Sequence, residues 1–145
     1  MPVGLPDFFH DWFTIKSTTY PDFREVEINP DEWDIAYFMD GMGEILQGFL
    51  FIDAHGYFND DYIEIWIDDV YYDTWRLYDI YYYNIREPGM YPFYSKYYNT
   101  TAHKALFGIT GGIRFRKWFE IDYYNKSSDK KRNLYLYLLI SLVGV

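Results

Sequence analysis

The chain contains no cysteine. That removes disulfide bonds, thiol nucleophiles and cysteine metal sites, and leaves the redox compartment open. Ala and Leu, the strongest helix formers, are sparse before the C-terminus, so little or no helix is expected. The longest apolar run, Leu134–Val145, has 12 residues, well short of the roughly 20 that a membrane-spanning helix needs. No membrane span is expected. The first ten residues carry no basic cluster and no long apolar stretch, which predicts no signal peptide. Basic residues are outnumbered, and the net charge of −9 argues against a nucleic-acid partner. No G-x-S-x-G, Walker A or dinucleotide-binding glycine pattern occurs, so neither an enzyme nor a cofactor is expected.

What the chain has in excess is aromatic residues: 18 Tyr, 12 Phe and 5 Trp in 145 positions. These residues favour half-buried pleated surfaces, which biases the chain toward strands. Tyr also combines apolar area with a polar tip, a combination suited to interfaces. The length fits one domain, 1–145, with one hydrophobic core. Charge is unevenly spread. Residues 1–95 carry a balance of −15 and residues 96–145 a balance of +6. The basic part (Arg114, Arg116, Lys117, Lys130, Lys131, Arg132) is expected to face acidic strands of its own sheet or of a neighbouring copy.

Period-two alternation punctuated by turn residues runs through the chain. Tyr62–Asp68 reads as a half-buried strand with Ile63, Ile65 and Ile67 inward. Ile45–Ile52 reads as a more buried strand, with Gly48 marking a bulge or a close backbone approach. Thr74–Ile85 reads as one long aromatic strand ended by Glu87-Pro88-Gly89. The stretch from Pro92 to Asn99 reads as a loop, with room for a short irregular element. Ile113–Tyr123 reads as one strand with Phe115 and Phe119 on the core face beside Lys117. A polar turn from Asn125 to Arg132 then leads into a last strand with Leu134, Leu136, Leu138, Ile140 and Leu142 on one face. Together these predict a long C-terminal hairpin. Phe23–Ile28, bounded by prolines, suits an edge strand. A further strand is expected within Phe8–Tyr20. Asp31–Met39 is left open between a helical turn and a strand. Six to eight strands without strand–helix–strand alternation predict an all-β fold, an antiparallel two-sheet sandwich.

Several clusters carry chemistry. Asp53 and His55 lie near Asn59, Asp60 and Asp61, a set with acid–base or metal-binding groups. No third spaced ligand accompanies them, so a polar loop is the expectation. Asp60, Asp61, Asp68, Asp69 and Asp73 offer oxygens to calcium, but the D-x-D-x-D-G pattern is absent. Glu64 and Asp122 are a candidate carboxylate pair. Tyr62, Trp66 and Trp118 fall on the non-core faces of their strands beside acids. With Tyr81, Tyr83, Arg114 and Arg116, they are the candidate interface or ligand-binding residues, for a protein partner or for a glycan. The sequons at Asn99 and Asn125 read as turn chemistry.

The run Leu46-Gln47-Gly48-Phe49-Leu50 with Ile63–Asp68, and the later run from Gly111 to Asn125, resemble the early and late strands of jelly-roll proteins from virus and phage particles. The resemblance covers about half of the chain. It implies a jelly-roll-like sandwich with a structural or attachment role in a virion. The expected function is therefore a non-enzymatic component (capsid, turret or tail-associated) that associates with itself or other virion proteins, the basic end of one copy against the acidic face of the next. A carbohydrate-binding attachment module is the alternative.

Overall fold

The computed structural model describes residues 17–89 and 91–144. The strand expected within Phe8–Tyr20 lies outside these residues as far as Lys16. Ten strands and one short helix follow in order: β1 (Ser17–Ile28), β2 (Glu32–Asp40), β3 (Gly43–Asp53), β4 (Tyr62–Ile67), β5 (Val70–Arg76), α1 (Leu77–Tyr82), β6 (Phe93–Asn99), β7 (Lys104–Ile109), β8 (Ile113–Phe115), β9 (Trp118–Asn125) and β10 (Arg132–Val143). One sheet has the order β1-β10-β3-β7-β6, with β8 also on β3, and the other β2-β9-β4-β5. All pairings are antiparallel. The pairs β1 with β10, β2 with β9, β3 with β7 and β4 with β5 are nested in sequence and shared alternately between the two sheets. That nesting is the jelly-roll order. The fold is an all-β sandwich, as the alternation predicts.

The core lies between the sheets. Ile63 and Ile65 from β4, Phe119, Ile121 and Tyr123 from β9, and Leu134 to Ile140 at every second position of β10 are buried. Gly48 packs closely: a Cβ there would lie 3.1 Å from Ile109 and 3.2 Å from Leu138. Gly48 itself pairs with Leu138, and two residues before it the register shifts between Leu139 and Ile140, so Leu46 is an extra residue in β3. Bulge and close approach occur together.

Four expectations are corrected. Thr74–Ile85 is not one strand. β5 stops at Arg76, where Leu77 N–H donates to Asp61 O at 2.9 Å and starts α1. Leu77 and Ile80, three apart, are the buried pair of that turn, a helical spacing hidden within the tyrosines. The stretch from Pro92 to Asn99 is not a loop. Its Phe93–Asn99 part is β6, an edge strand with Pro92 just outside it. Ile113–Tyr123 is two strands in different sheets, so β9 and β10 form no hairpin. The chain changes sheet at Arg116–Lys117 because the Asp68 carboxylate accepts the N–H groups of Arg116, Lys117 and Trp118 at 2.6–3.1 Å. This corner also turns Lys117 away from the core and toward Asp69. Asp31–Met39 resolves as a strand, β2.

The fourth correction concerns Arg132. It is not part of a solvated turn but is fully buried at the start of β10. Its guanidinium donates to Asp61, also fully buried, at 2.7 Å, and to the carbonyls of Ala54 and Tyr57. Asp61 further accepts from Tyr123 Oη and Lys126 N. Burial, then the adjacent Asp61 charge, pushes the Tyr123 hydroxyl well above its ordinary pKa, so it remains a donor. Asp61→Ala strands a buried guanidinium and should cost about 3–5 kcal/mol. Tyr123→Phe removes one charge-assisted hydrogen bond and should cost about 1.5–3 kcal/mol. Urea unfolding at neutral pH measures both, and equal losses for the two variants would contradict this account.

Candidate functional site

The four-stranded sheet turns one face to the core and the other to solvent. Cross-strand register arranges the outward side chains in rows. Trp33, Tyr124 and Tyr62 form one row. Ile35, Asp122, Glu64 and Thr74 form the next. Phe38, Glu120, Trp66 and Tyr71 form a third, and Trp118 lies beyond it against Asp40. Aromatic rings thus surround three carboxylates. The rings touch across the strands: Trp33 and Tyr124 have centroids 5.2 Å apart, Trp66 and Tyr71 5.5 Å, and Phe38 and Trp118 6.0 Å. The indole N–H groups are anchored, Trp66 Nε1 on Glu64 and Trp118 Nε1 on Asp69. Trp33 and Ile35 are each 47% exposed.

The carboxylates are not equivalent. Glu64 is held by Trp66 Nε1 on one oxygen and by Thr74 Oγ1 at 2.9 Å on the other. Asp122 Oδ1 is buried with no hydrogen-bond partner among the described residues. Desolvation, then the hydrogen bond and charge of Glu120 and the charges of Glu64 and Asp34, push the Asp122 carboxyl up to about 8. At neutral pH it holds a proton, and the centre of the face is less negative than its residue types suggest.

The outer face of the six-stranded sheet is aromatic too. Phe23, Tyr137 and Phe49 form one row across β1, β10 and β3. Next to it run Glu25, Tyr135, Phe51, Leu106 and Tyr97. The Tyr94 ring lies over Gly108 and leaves no room there for a Cβ. Lys96 Nζ is 5.8 Å from the ring centroids of both Phe49 and Tyr94, a cation–π placement. Lys96 has no carboxylate partner among the described residues.

The sequence-derived candidates divide accordingly. Tyr62, Trp66 and Trp118 share the face of the four-stranded sheet. Tyr81 and Tyr83 do not belong to it. Tyr81 is on α1, stacked on Tyr98 at 4.6 Å with Arg86 over its ring, and Tyr83 follows the helix, exposed. Arg114 and Arg116 lie elsewhere again, on a cleft of about 560 Å³ with Thr19, Met42, Leu46 and Val143. Arg114 pairs there with Glu44 at 2.8 Å. Trp33, Ile35, Phe38, Phe23, Tyr137 and Lys96 were not foreseen. The signal for Trp33 and Ile35 was their two-residue spacing, which the helical option for Asp31–Met39 masked.

The acidic cluster is dispersed. Asp60 pairs with Arg76, Asp61 with Arg132, and Asp69 with Lys117, while Asp68 caps the β8–β9 corner. Asp53 and His55 approach only to 3.7 Å. No group of three or more His, Asp or Glu is arranged to hold a metal ion among the described residues. Glu64 and Asp122 do face each other, as cross-strand partners. No helix among the described residues is long and apolar enough to cross a membrane. No family model matches the chain, and no curated protein matches it.

The raised Asp122 group has a pH signature. A carboxyl whose folded pKa lies above its unfolded value of 3.8 favours the folded state through its neutral form, so the benefit is complete below that value and is lost as pH rises through about 8. Asp122→Asn keeps a neutral side chain at every pH. Unfolding free energies at pH 5 and pH 9 should show a larger loss for the wild type than for Asp122→Asn. Parallel losses would refute the assignment.

Proposed function

We propose that the chain is a non-enzymatic assembly protein that associates with copies of itself, and with other particle proteins, through the aromatic outer faces of its two sheets. The observation that carries this reading is that outward positions on both sheets are aromatic. A free-standing antiparallel sandwich presents polar residues there. Contiguous exposed apolar surface of this kind marks contact with another macromolecule. Tyr and Trp supply large contact area with few rotatable bonds to immobilise, which keeps the entropic cost of association low. The jelly-roll order supports a virus or phage particle component located in the virion, since viral capsid domains use this architecture. Lectins use it as well, and fold alone does not assign function, so the weight rests on the faces.

Sedimentation of the purified chain over a range of concentration and salt tests the reading. Molar mass should rise with concentration, and Trp33→Ser with Phe38→Ser should hold the chain monomeric with its melting temperature nearly unchanged. A strictly monomeric wild type at high concentration would overturn it.

The face of the four-stranded sheet also favours a second reading, a carbohydrate platform. Trp66 and Trp118 have their N–H groups tied down, and Glu64 and Glu120 between the rings can accept from sugar hydroxyls. Glycan-array binding lost in both Trp66→Ala and Trp118→Ala would support it. Absence of binding to any glycan, or binding untouched by these changes, would dismiss it.

A further inference from the structure

The two outer faces are not alike, and the difference has a direction. One is a ring of aromatics around Glu64, Glu120 and Asp122. The other is an aromatic belt over which Lys96 reaches from the edge strand β6, to the rings of Phe49 and Tyr94. Arg24 pairs with Asp22, Arg76 with Asp60 and Asp79, Arg114 with Glu44, Lys117 with Asp69 and Lys131 with Glu27, whereas Lys96, Lys104, Arg116, Lys126 and Lys130 have no carboxylate partner among the described residues. Of the unpaired group, Lys96 is exposed and lies against the faces of Phe49 and Tyr94.

We infer that copies of this chain stack head to tail, the outer face of the six-stranded sheet of one copy lying on the outer face of the four-stranded sheet of the next, with Lys96 seated among Glu64, Glu120 and Asp122. This inference rests on the self-association reading and adds its polarity and register.

Three observations support it. The surfaces are both sheet faces, and sheets pack face to face at about 10 Å when their side chains interdigitate. Lys96 lies against Phe49 and Tyr94 towards the β6 edge of one face, and Glu64 and Glu120 lie between the aromatic rows of the other, so one lysine can meet two carboxylates, with the acidic Glu25 on the far, β1 side of the six-stranded face. A face-to-face contact between two identical four-stranded faces would instead bring the Glu64 and Glu120 carboxylates of two copies together, a like-charge cost. The raised Asp122 carboxyl fits as well, because an arriving cation favours its ionised form. Such a contact joins two different patches, so it propagates into rings or filaments rather than closing as a two-fold dimer.

The test uses two surface variants of the whole chain. Phe23→Ser with Tyr137→Ser disables the six-stranded face, and Trp33→Ser with Phe38→Ser disables the other. Sedimentation should find each variant monomeric alone and their equimolar mixture halted at a one-to-one dimer, joined by the single intact contact. Lys96→Glu should weaken wild-type association by about tenfold or more, and adding Glu120→Lys to the same chain should recover part of it. If the Phe23/Tyr137 variant associates like the wild type, the contact is between like faces and the inference fails while the assembly reading stands. A mixture that stays monomeric, or a Lys96→Glu chain that associates normally, also overturns it. A monomeric wild type instead removes the assembly reading itself.

Discussion

The ion pair between Asp61 and Arg132 is the constraint on which the rest of this sandwich depends. Both groups are fully buried, and removing two charges from water costs several kcal/mol per ion before any attraction is counted. The arrangement is tolerable because nearly every polar atom is used. Asp61 accepts from Arg132, Tyr123 and Lys126, and Arg132 also donates to two backbone carbonyls. These partners come from both sheets and from the loop between β3 and β4. The carbonyl of Asp61 additionally starts α1. One end of the sandwich is therefore closed by polar bonds with fixed geometry rather than by apolar packing, which slides more easily. Arg132 is also the first residue of β10, whose inward positions alternate from it. Seating Arg132 inside sets the parity of the whole strand, and a one-residue slip would turn Leu134 to Leu142 out to solvent.

A second polar device fixes the other end. Asp68 and Asp69 make the two-residue connection between β4 and β5 with positive φ at both positions, 51° and 68°, the backbone of a tight hairpin whose twist matches its strands. Asp tolerates that region better than most residues. The Asp68 carboxylate is then aimed at the corner where the chain crosses from one sheet to the other. Desolvation opposes its charge, but the three backbone N–H donors outweigh that and hold its pKa below the ordinary value.

These two devices explain what the sequence could and could not disclose. Strands whose neighbours stay constant along their length were legible, because alternation alone defines them: β4 by its isoleucines, β10 by its leucines, β1 as an edge. The fold class followed from them. Ile113–Tyr123 was not legible as two strands, because alternation continues across the corner and nothing local signals the carboxylate that bends it 48 residues away in sequence. Arg132 was misplaced because a charged residue after Lys130 and Lys131 looks like the end of a polar turn, and its partner lies 71 residues away. The helix was hidden because Leu77 and Ile80 sit in a run of tyrosines that satisfies a strand pattern equally well. Half of the candidate face was visible for the same reason. Tyr62, Trp66 and Trp118 lie on strands whose parity could be read, whereas Phe38 follows an irregularity in β2 between Ile35 and Tyr37 that moves it onto the face.

The aromatic excess now has a spatial account. A core of this size is filled by Ile, Leu, Phe and two tyrosines, Tyr37 and Tyr123, each with its hydroxyl on a carboxylate. Most other rings stand outward, on two faces or around α1, where Tyr78, Tyr81 and Tyr98 pack on one another. Around α1, Tyr81 stacks on Tyr98 while Tyr82 and Tyr83 stand exposed beside them. The two faces do not close either. Their rings pair only along the sheet, edge against neighbour, so one surface of each ring meets water. Tyr and Trp are the residues that make such a surface tolerable in the separate chain, since their polar tips stay hydrated or anchored while their rings remain available. The net charge of −9 works in the same direction by keeping separate copies apart. In the proposed stack, Lys96 of one copy and the Glu64 and Glu120 carboxylates of the next would act against that repulsion at one register only.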